Sequence, residues 1–166
     1  MGRKSKDKVP VTMAVRALRA AKVDFEPMFY TYEEHGGTEV SARELGVDEH
    51  AVVKTLIFED DAGQALVILM HGDREVAPGR LARAIGARKT RPAGFDLAHK
   101  HTGYEFGGTS PFGTRKPMPI YAEATIRELD AFLINGGKRG FLVRITPEDL
   151  ERALEVTWVE AAAPVG

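Results

Sequence analysis

The residue pattern predicts one mixed α/β domain of the α+β kind, a curved, largely antiparallel sheet with short helices packed around it. Three observations carry that prediction. Apolar runs of strand length outnumber helix-length periodic segments, the joints between them are short and turn-like, and no linker or repeat divides the 166 residues. A chain of this size buries roughly 68–70% of the surface its unfolded form exposes, enough for one continuous core.

The elements follow in order. Thr12 is placed to cap a helix in which Val15, Leu18 and Ala21 share a face. Residues 25–32 are aromatic and interrupted by Pro27, which reads as an edge strand because proline cannot donate to a ladder. Beyond the polar stretch 33–37, Ser41-Ala42-Arg43-Glu44 has capping-box spacing and opens a short helix that Gly46 ends. Residues 52–59 and 65–71 are strands rich in branched side chains, joined by the hairpin signal Asp60-Asp61-Ala62-Gly63. Residues 78–86 form a short helix, with proline at its start and glycine past its end. A helical turn over 96–101 stops at Gly103, and 107–119 is loop, dense in glycine and proline. Short strands are expected at 118–121, 131–134 and 141–145. Thr146-Pro147-Glu148-Asp149 then starts a helix with its acids at the positive dipole end, and 156–159 is the last strand.

Composition excludes several classes. A net charge of −1 argues against a protein that coats nucleic acid nonspecifically. Between Val76 and Phe95, however, there is no acid, while Arg80, Arg83, Arg88, Lys89 and Arg91 supply five cations. Lys100, Arg115, Lys116, Lys138 and Arg139 follow. One such cluster is ordinarily a solvated face; their recurrence also suits a local polyanion site. No run approaches the ~18 apolar residues of a membrane helix, so no membrane contact is expected. The first eight residues are charged with no apolar stretch behind them, which reads as a tail and not as a secretory signal. Gly2 lacks the Ser or Thr of the myristoylation pattern, since Lys6 stands there. The absence of cysteine removes disulfides, thiolate metal sites and cysteine nucleophiles, and the cytoplasm is the expected compartment.

The familiar catalytic signatures fail. Phe112 stands where a G-x-S-x-G elbow around Ser110 needs its second glycine. Gly137-Lys138 resembles the end of a P-loop, but Arg139 and Phe132 break the pattern. His99 and His101 are two apart on a helical turn and point to different faces, while His35, His50 and His71 are isolated along the chain. Neither a metal nor a cofactor is expected.

Three features remain. Lys54 interrupts the apolar run Ala51-Val52-Val53-Lys54-Thr55-Leu56-Ile57-Phe58. It either snorkels to water along the surface or enters a polar pocket, where it could grip a phosphate or ribose or stabilise charge on an ester carbonyl. The loop 102–113, with Gly107-Gly108 and Gly113 around Pro111, is either a tight connection or backbone brought close to a ligand. Asn135-Gly136-Gly137-Lys138-Arg139-Gly140 is either a hairpin turn or an anion-binding nest.

Taken in order, Val53-Lys54-Thr55-Leu56, Gly72-Asp73-Arg74, Leu81-Ala82-Arg83-Ala84-Ile85-Gly86-Ala87-Arg88-Lys89, Thr102-Gly103-Tyr104, Gly107-Gly108-Thr109-Ser110-Pro111-Phe112-Gly113 and Gly136-Gly137-Lys138-Arg139-Gly140 resemble the YbaK family. That family includes the editing domain inserted in bacterial prolyl-tRNA synthetases, and the resemblance covers residues 12–159. It implies a single domain with a barrel-like sheet, and hydrolysis of the ester between an amino acid and tRNA. The family's important lysine falls on Lys54 and its G-x-x-P-x-G loop on Gly108, Pro111 and Gly113, while an aromatic that lines the site falls on Tyr32. Lys54 and Gly108 are thus the catalytic candidates. Tyr32, Thr55, Gly107, Ser110, Pro111, Gly113, Asn135, Gly136 and Gly137 are the substrate-binding ones.

The chain is most similar to the free-standing members that deacylate Cys-tRNA(Pro). It departs from them at Asn135, where they have Ser, and at Leu142, where they have an acid. The resemblance therefore implies a trans-editing deacylase domain over 12–160, between tails at 1–11 and 161–166. Its partners would be the aminoacyl 3′ end of tRNA and, transiently, prolyl-tRNA synthetase, with no role for DNA. A noncatalytic tRNA- or nucleotide-binding or synthetase-docking module of the same fold is the alternative. An aminoacyl ester is already activated, so orientation and electrostatics suffice, and in the cysteine-specific relatives the substrate thiol assists its own release.

Overall fold

The two longest apolar runs form the spine of the sheet. In the computed structural model, which describes residues 8–165, β2 (Val52–Asp60) and β3 (Ala65–His71) pair antiparallel from Val53↔His71 to Glu59↔Ala65. Every residue of β3 is buried, as in a strand covered on both faces. Asp60 closes the hairpin: its carboxylate accepts the N–H groups of Ala62 and Gln64, both at 2.9 Å.

Around this hairpin lie β1 (Glu26–Phe29), β4 (Thr90–Pro92), β5 (Ile120–Glu123), β6 (Phe132–Lys138), β7 (Phe141–Ile145) and β8 (Val156–Val159). The order is β1-β7-β6-β2-β3-β5-β8, with β4 pairing the far end of β2. Five helices accompany them among the described residues: α1 (Met13–Ala20), α2 (Gly37–Leu45), α3 (Pro78–Ile85), α4 (Phe95–Thr102) and α5 (Pro147–Ala153). The expected class holds, one domain of mixed type. The sheet is open, so the barrel form is not adopted. Four strand pairings are antiparallel, and three, β2/β6, β3/β5 and β5/β8, are parallel. Hairpin signals reveal only the local pairings; the parallel ones need crossovers that no turn residue announces.

Side-chain alternation gives the sheet two faces. Val53, Ile57, Val67 and Leu69 enter the main core with Ala14, Val15 and Leu18 of α1 and with Phe112, Phe132 and Phe141. On the other face, Leu66, Ile68 and Met70 pack with Leu81 of α3, while Val52, Leu133 and Leu142 pack with Ala42 of α2. Lys54 pairs with Met70 and falls on this second face, between the two smaller clusters.

Local corrections have local reasons. Helix α2 starts at Gly37 behind Gly36, so Ser41 sits inside it; its buried hydroxyl donates to the Thr38 carbonyl at 3.1 Å in place of capping. The edge strand β1 holds Pro27 as expected but ends at Phe29. The three-residue β4 is too short for a periodicity to mark. Of the expected N-terminal tail, residues 1–7 lie outside the described residues, and Val9 packs against the main core.

The expected C-terminal tail is in part structural. Ala161 and Ala162 are buried, and Ala163 N–H donates to the Glu75 carbonyl at 2.7 Å. The buried Glu123 carboxylate accepts the N–H groups of Ala161 and Ala162 at 2.7 and 3.0 Å. Glu123→Ala strands both donors and should lower unfolding free energy by about 2–3 kcal/mol in urea titration.

Candidate active site

Lys54 leaves β2 beside the end of β3, where the chain turns through Gly72. Its ammonium donates to the Gly72 carbonyl at 3.4 Å and meets the Glu75 carboxylate at 3.3 Å. The lysine side chain is 19% exposed and that of Glu75 81%, so the cation is enclosed while its counter-ion stands in water. Most of the lysine side chain is thus covered, with its ammonium between a backbone carbonyl and an exposed acid. Gly72 is held on all sides: its N–H donates to Val52 O at 2.6 Å, and a Cβ there would lie 2.6 Å from the Thr38 hydroxyl.

The parallel pairing of β2 with β6 sets Val53 opposite Ile134 and ends there, so Lys54 and Asn135 each stand one residue past its last rung. The Asn135 amide donates to Gly107 O at 3.2 Å, which ties the glycine loop to β6. The Asn135 side-chain oxygen accepts the N–H groups of Gly137 and Lys138 at 2.6 and 3.1 Å. An anion-binding nest needs those two donors free, and here the turn's own asparagine consumes them. The hairpin reading is the one realised. Asn135 is also the cross-strand partner of Leu142, which is buried. The two positions at which the resemblance to the cysteine-specific members breaks are thus one cross-strand pair.

Next to Gly107 stands Tyr32: a Cβ on Gly107 would lie 2.7 Å from its hydroxyl oxygen. The Arg139 guanidinium lies 4.9 Å from the centre of the Tyr32 ring, donates to Phe106 O at 2.7 Å and reaches Glu105 at 3.6 Å. Tyr32, Gly107, Asn135 and Arg139 therefore form one contiguous wall. Asn135, its member on β6, and Lys54 on β2 each follow the last rung of the β2/β6 ladder.

Other candidate residues serve the scaffold. Thr55 alternates to the main-core side, opposite Lys54, where its hydroxyl is buried without a partner. Gly108 is buried and its N–H is spent on Glu105 O at 2.9 Å, leaving its carbonyl as the group able to face a ligand. The Ser110 hydroxyl and Pro111 are buried within the loop, and Ser110 accepts Phe112 N–H at 3.1 Å. Gly113 adopts φ +64° with its would-be Cβ 2.5 Å from the Met13 carbonyl, so it seats the loop on α1. Gly136 makes room for the Phe141 ring and Gly137 for Tyr104 and Thr12. Burial raises the pKa of the Tyr104 hydroxyl to about 12, and it donates to Phe112 O.

Sequence reading missed Glu75, whose only signal was its place just after Gly72-Asp73-Arg74, and it did not place Arg139 on Tyr32. It also missed a histidine pair. His71 is fully buried, with Nδ1 2.8 Å from His50 O and Nε2 2.7 Å from the Thr125 hydroxyl. The carbonyl partner requires Nδ1–H, and burial favours the neutral ring, in which Nε2 accepts from the Thr125 hydroxyl. His50 stacks on it, centroids 3.7 Å apart and planes 7° apart, and its own Nδ1 meets Asp73 at 2.9 Å. His50, His71 and Asp73 bring donor atoms within 4.8 Å of one another. Parallel stacked rings, however, aim their lone pairs side by side, and both His71 nitrogens are occupied. The cluster does not fit a tetrahedral metal.

Residues 33–153 match the model of the aminoacyl-tRNA editing domain family, and the chain belongs to it. A protein of Enterococcus faecalis named "Putative Cys-tRNA(Pro)/Cys-tRNA(Cys) deacylase EbsC" is 29% identical over 138 residues, covering 82% of this chain and 84% of that protein. A proline–tRNA ligase of Moorella thermoacetica is 31% identical over 124 residues, 72% of this chain but 21% of the ligase. Among solved structures, one described as "Crystal structure of a putative trans-editing enzyme for prolyl tRNA synthetase" superposes with TM-score 0.82 at 22% identity, covering 95% of this chain and 100% of that one. Among the described residues no helix is long and apolar enough to cross a membrane.

Burial lowers the His71 pKa from 6.5, the His50 carbonyl partly opposing the shift. The unfolded chain then binds the proton that the fold refuses, so this contribution is complete above pH 6.5 and is lost as pH falls from there toward the depressed folded value. The melting temperature should fall between pH 7.5 and 5.5, and less steeply in His71→Gln. Equal slopes would remove His71 as the titrating group.

Proposed function

We propose that the protein is a trans-editing deacylase that hydrolyses the ester of mischarged tRNA, with Cys-tRNA(Pro) as its substrate. It acts in the cytoplasm and meets prolyl-tRNA synthetase only transiently. The observation that carries the reading is the Lys54 ammonium, enclosed against the Gly72 carbonyl with only an exposed carboxylate as counter-ion. A carbonyl positions a cation without neutralising it. An exposed carboxylate partner is worth about 0–1 kcal/mol, so a tRNA phosphate or ribose can displace Glu75 at little cost.

In this reading Lys54 holds the terminal nucleotide, and Tyr32, Gly107 and the Gly108 carbonyl border the amino-acid pocket. Water adds to the ester carbonyl, the C–O bond to the ribose breaks, and the proton passes to the ribose oxygen. The products are a free amino acid and an uncharged 3′ end. Fixed dipoles and one cation suffice for such an activated ester, and the cysteine-free chain is not asked for a thiol. Names borne by relatives in this family support the same reaction class.

Lys54→Ala should lower kcat/KM for Cys-tRNA(Pro) at least about 100-fold with an unchanged melting temperature, and full activity in that variant overturns the assignment. Glu75→Gln should lower KM by about two- to fivefold by freeing Lys54. The same assay run with alanyl-tRNA(Pro) and correctly charged controls reads the amino-acid preference. Salt-sensitive binding without turnover would instead identify a binding module, the reading that the Asn135–Leu142 pair favours.

A further inference from the structure

Most large apolar side chains are buried, yet two phenylalanines beside the recess are not. Phe95, at the start of α4, is 55% exposed and Phe106 is 68% exposed. They touch edge to face, with centroids 6.4 Å apart and planes at 61°, and Phe95 stacks on the exposed His99 one helical turn away at 5.5 Å and 12°. Phe106 immediately precedes Gly107, and its carbonyl holds Arg139 over Tyr32. The aromatic surface thus runs from His99 through Phe95 to Phe106, whose backbone carbonyl connects it to Arg139 and Tyr32.

Its electrostatic setting is cationic. Arg139 bonds the Phe106 carbonyl, Lys138 backbone packs beside Gly108, Lys100 shares α4 with Phe95, and Arg115 and Lys116 donate their N–H groups to the last carbonyls of α4. Of the nearby acids Asp96 and Glu105, Glu105 is already paired to Arg139. Two exposed rings are far too little surface for a stable protein partner, which needs about 800 Å² a side. Flat rings bordered by cations are what unpaired nucleotides stack on.

We infer that Phe106 and Phe95, with His99, form a stacking platform for the single-stranded nucleotides that precede the terminal adenosine of tRNA. The inference rests on the deacylase reading only for the identity of the strand. The platform determines how the strand enters, and Lys54 receives its end.

The test compares wild type and Phe106→Ala on Cys-tRNA(Pro) and on 3′-cysteinyl-adenosine, which carries no preceding nucleotide. The backbone carbonyl that holds Arg139 survives this substitution. Loss of one stacked base should lower kcat/KM about tenfold on the tRNA, through KM, and leave the adenosine ester unaffected; Phe106→Tyr should restore it. Equal losses on both substrates, or none on the tRNA, overturn the platform. A fluorescein-labelled single-stranded RNA ending in CCA provides the independent arm. If wild type turns over neither ester but Phe106→Ala still weakens binding of this RNA about tenfold, the reaction falls and the platform stands. Unchanged affinity for the RNA removes the platform whatever the enzyme does.

Discussion

Two rungs of parallel ladder, Val52↔Leu133 and Val53↔Ile134, join the β2–β3 hairpin to the β6–β7 hairpin. A parallel pair cannot be closed by a turn, so the chain travels from the end of β2 through α3, α4 and the glycine loop before β6 returns. That route delivers the 102–113 loop to β6, where the Asn135 amide donates to Gly107 O. The register is equally constrained. A slip of one residue would turn Lys54 toward the main core and leave an unpaired ammonium among Val15, Phe112 and Ile134. Holding the sheet together and building the recess are one requirement.

The recess follows a single electrostatic pattern twice. Lys54 has the Gly72 carbonyl and the exposed Glu75; Arg139 has the Phe106 carbonyl and the exposed Glu105. In each case a backbone oxygen sets the position and a solvent-exposed carboxylate balances the charge. A net charge of −1 is compatible with such a site, because the acids that neutralise the total do not enclose these cations. A cavity of about 480 Å³ between Asp60, Arg88 and Tyr121 lies at the opposite end of the β2–β3 hairpin from Lys54.

Local signals were legible where the cause was local. The Thr12 and Thr146 caps, the Asp60 turn, the Pro78 start and the Gly46, Gly86 and Gly103 stops all stand as read, since each depends on neighbours within a few residues. Ser41 shows the limit of that logic: its capping spacing is genuine, but a glycine-led turn begins the helix earlier. Asn135 and Leu142 could be named as departures but not as a pair, because cross-strand partnership is not written in either residue. The same holds for His50 and His71, twenty-one positions apart and stacked ring on ring.

The chain by itself determined the class of domain, the family and the odd lysine in an apolar strand, because periodicity, turn chemistry and ordered motifs are properties of short segments. The tertiary structure decided which face that lysine takes, which carbonyl and acid it meets, and that Ser110, Pro111 and Gly113 support the loop from within. It also set Arg139 on Tyr32 and anchored the C-terminal residues. These are contacts between segments distant in sequence, and only the burial of a shared core selects them from the many pairings that local preference allows.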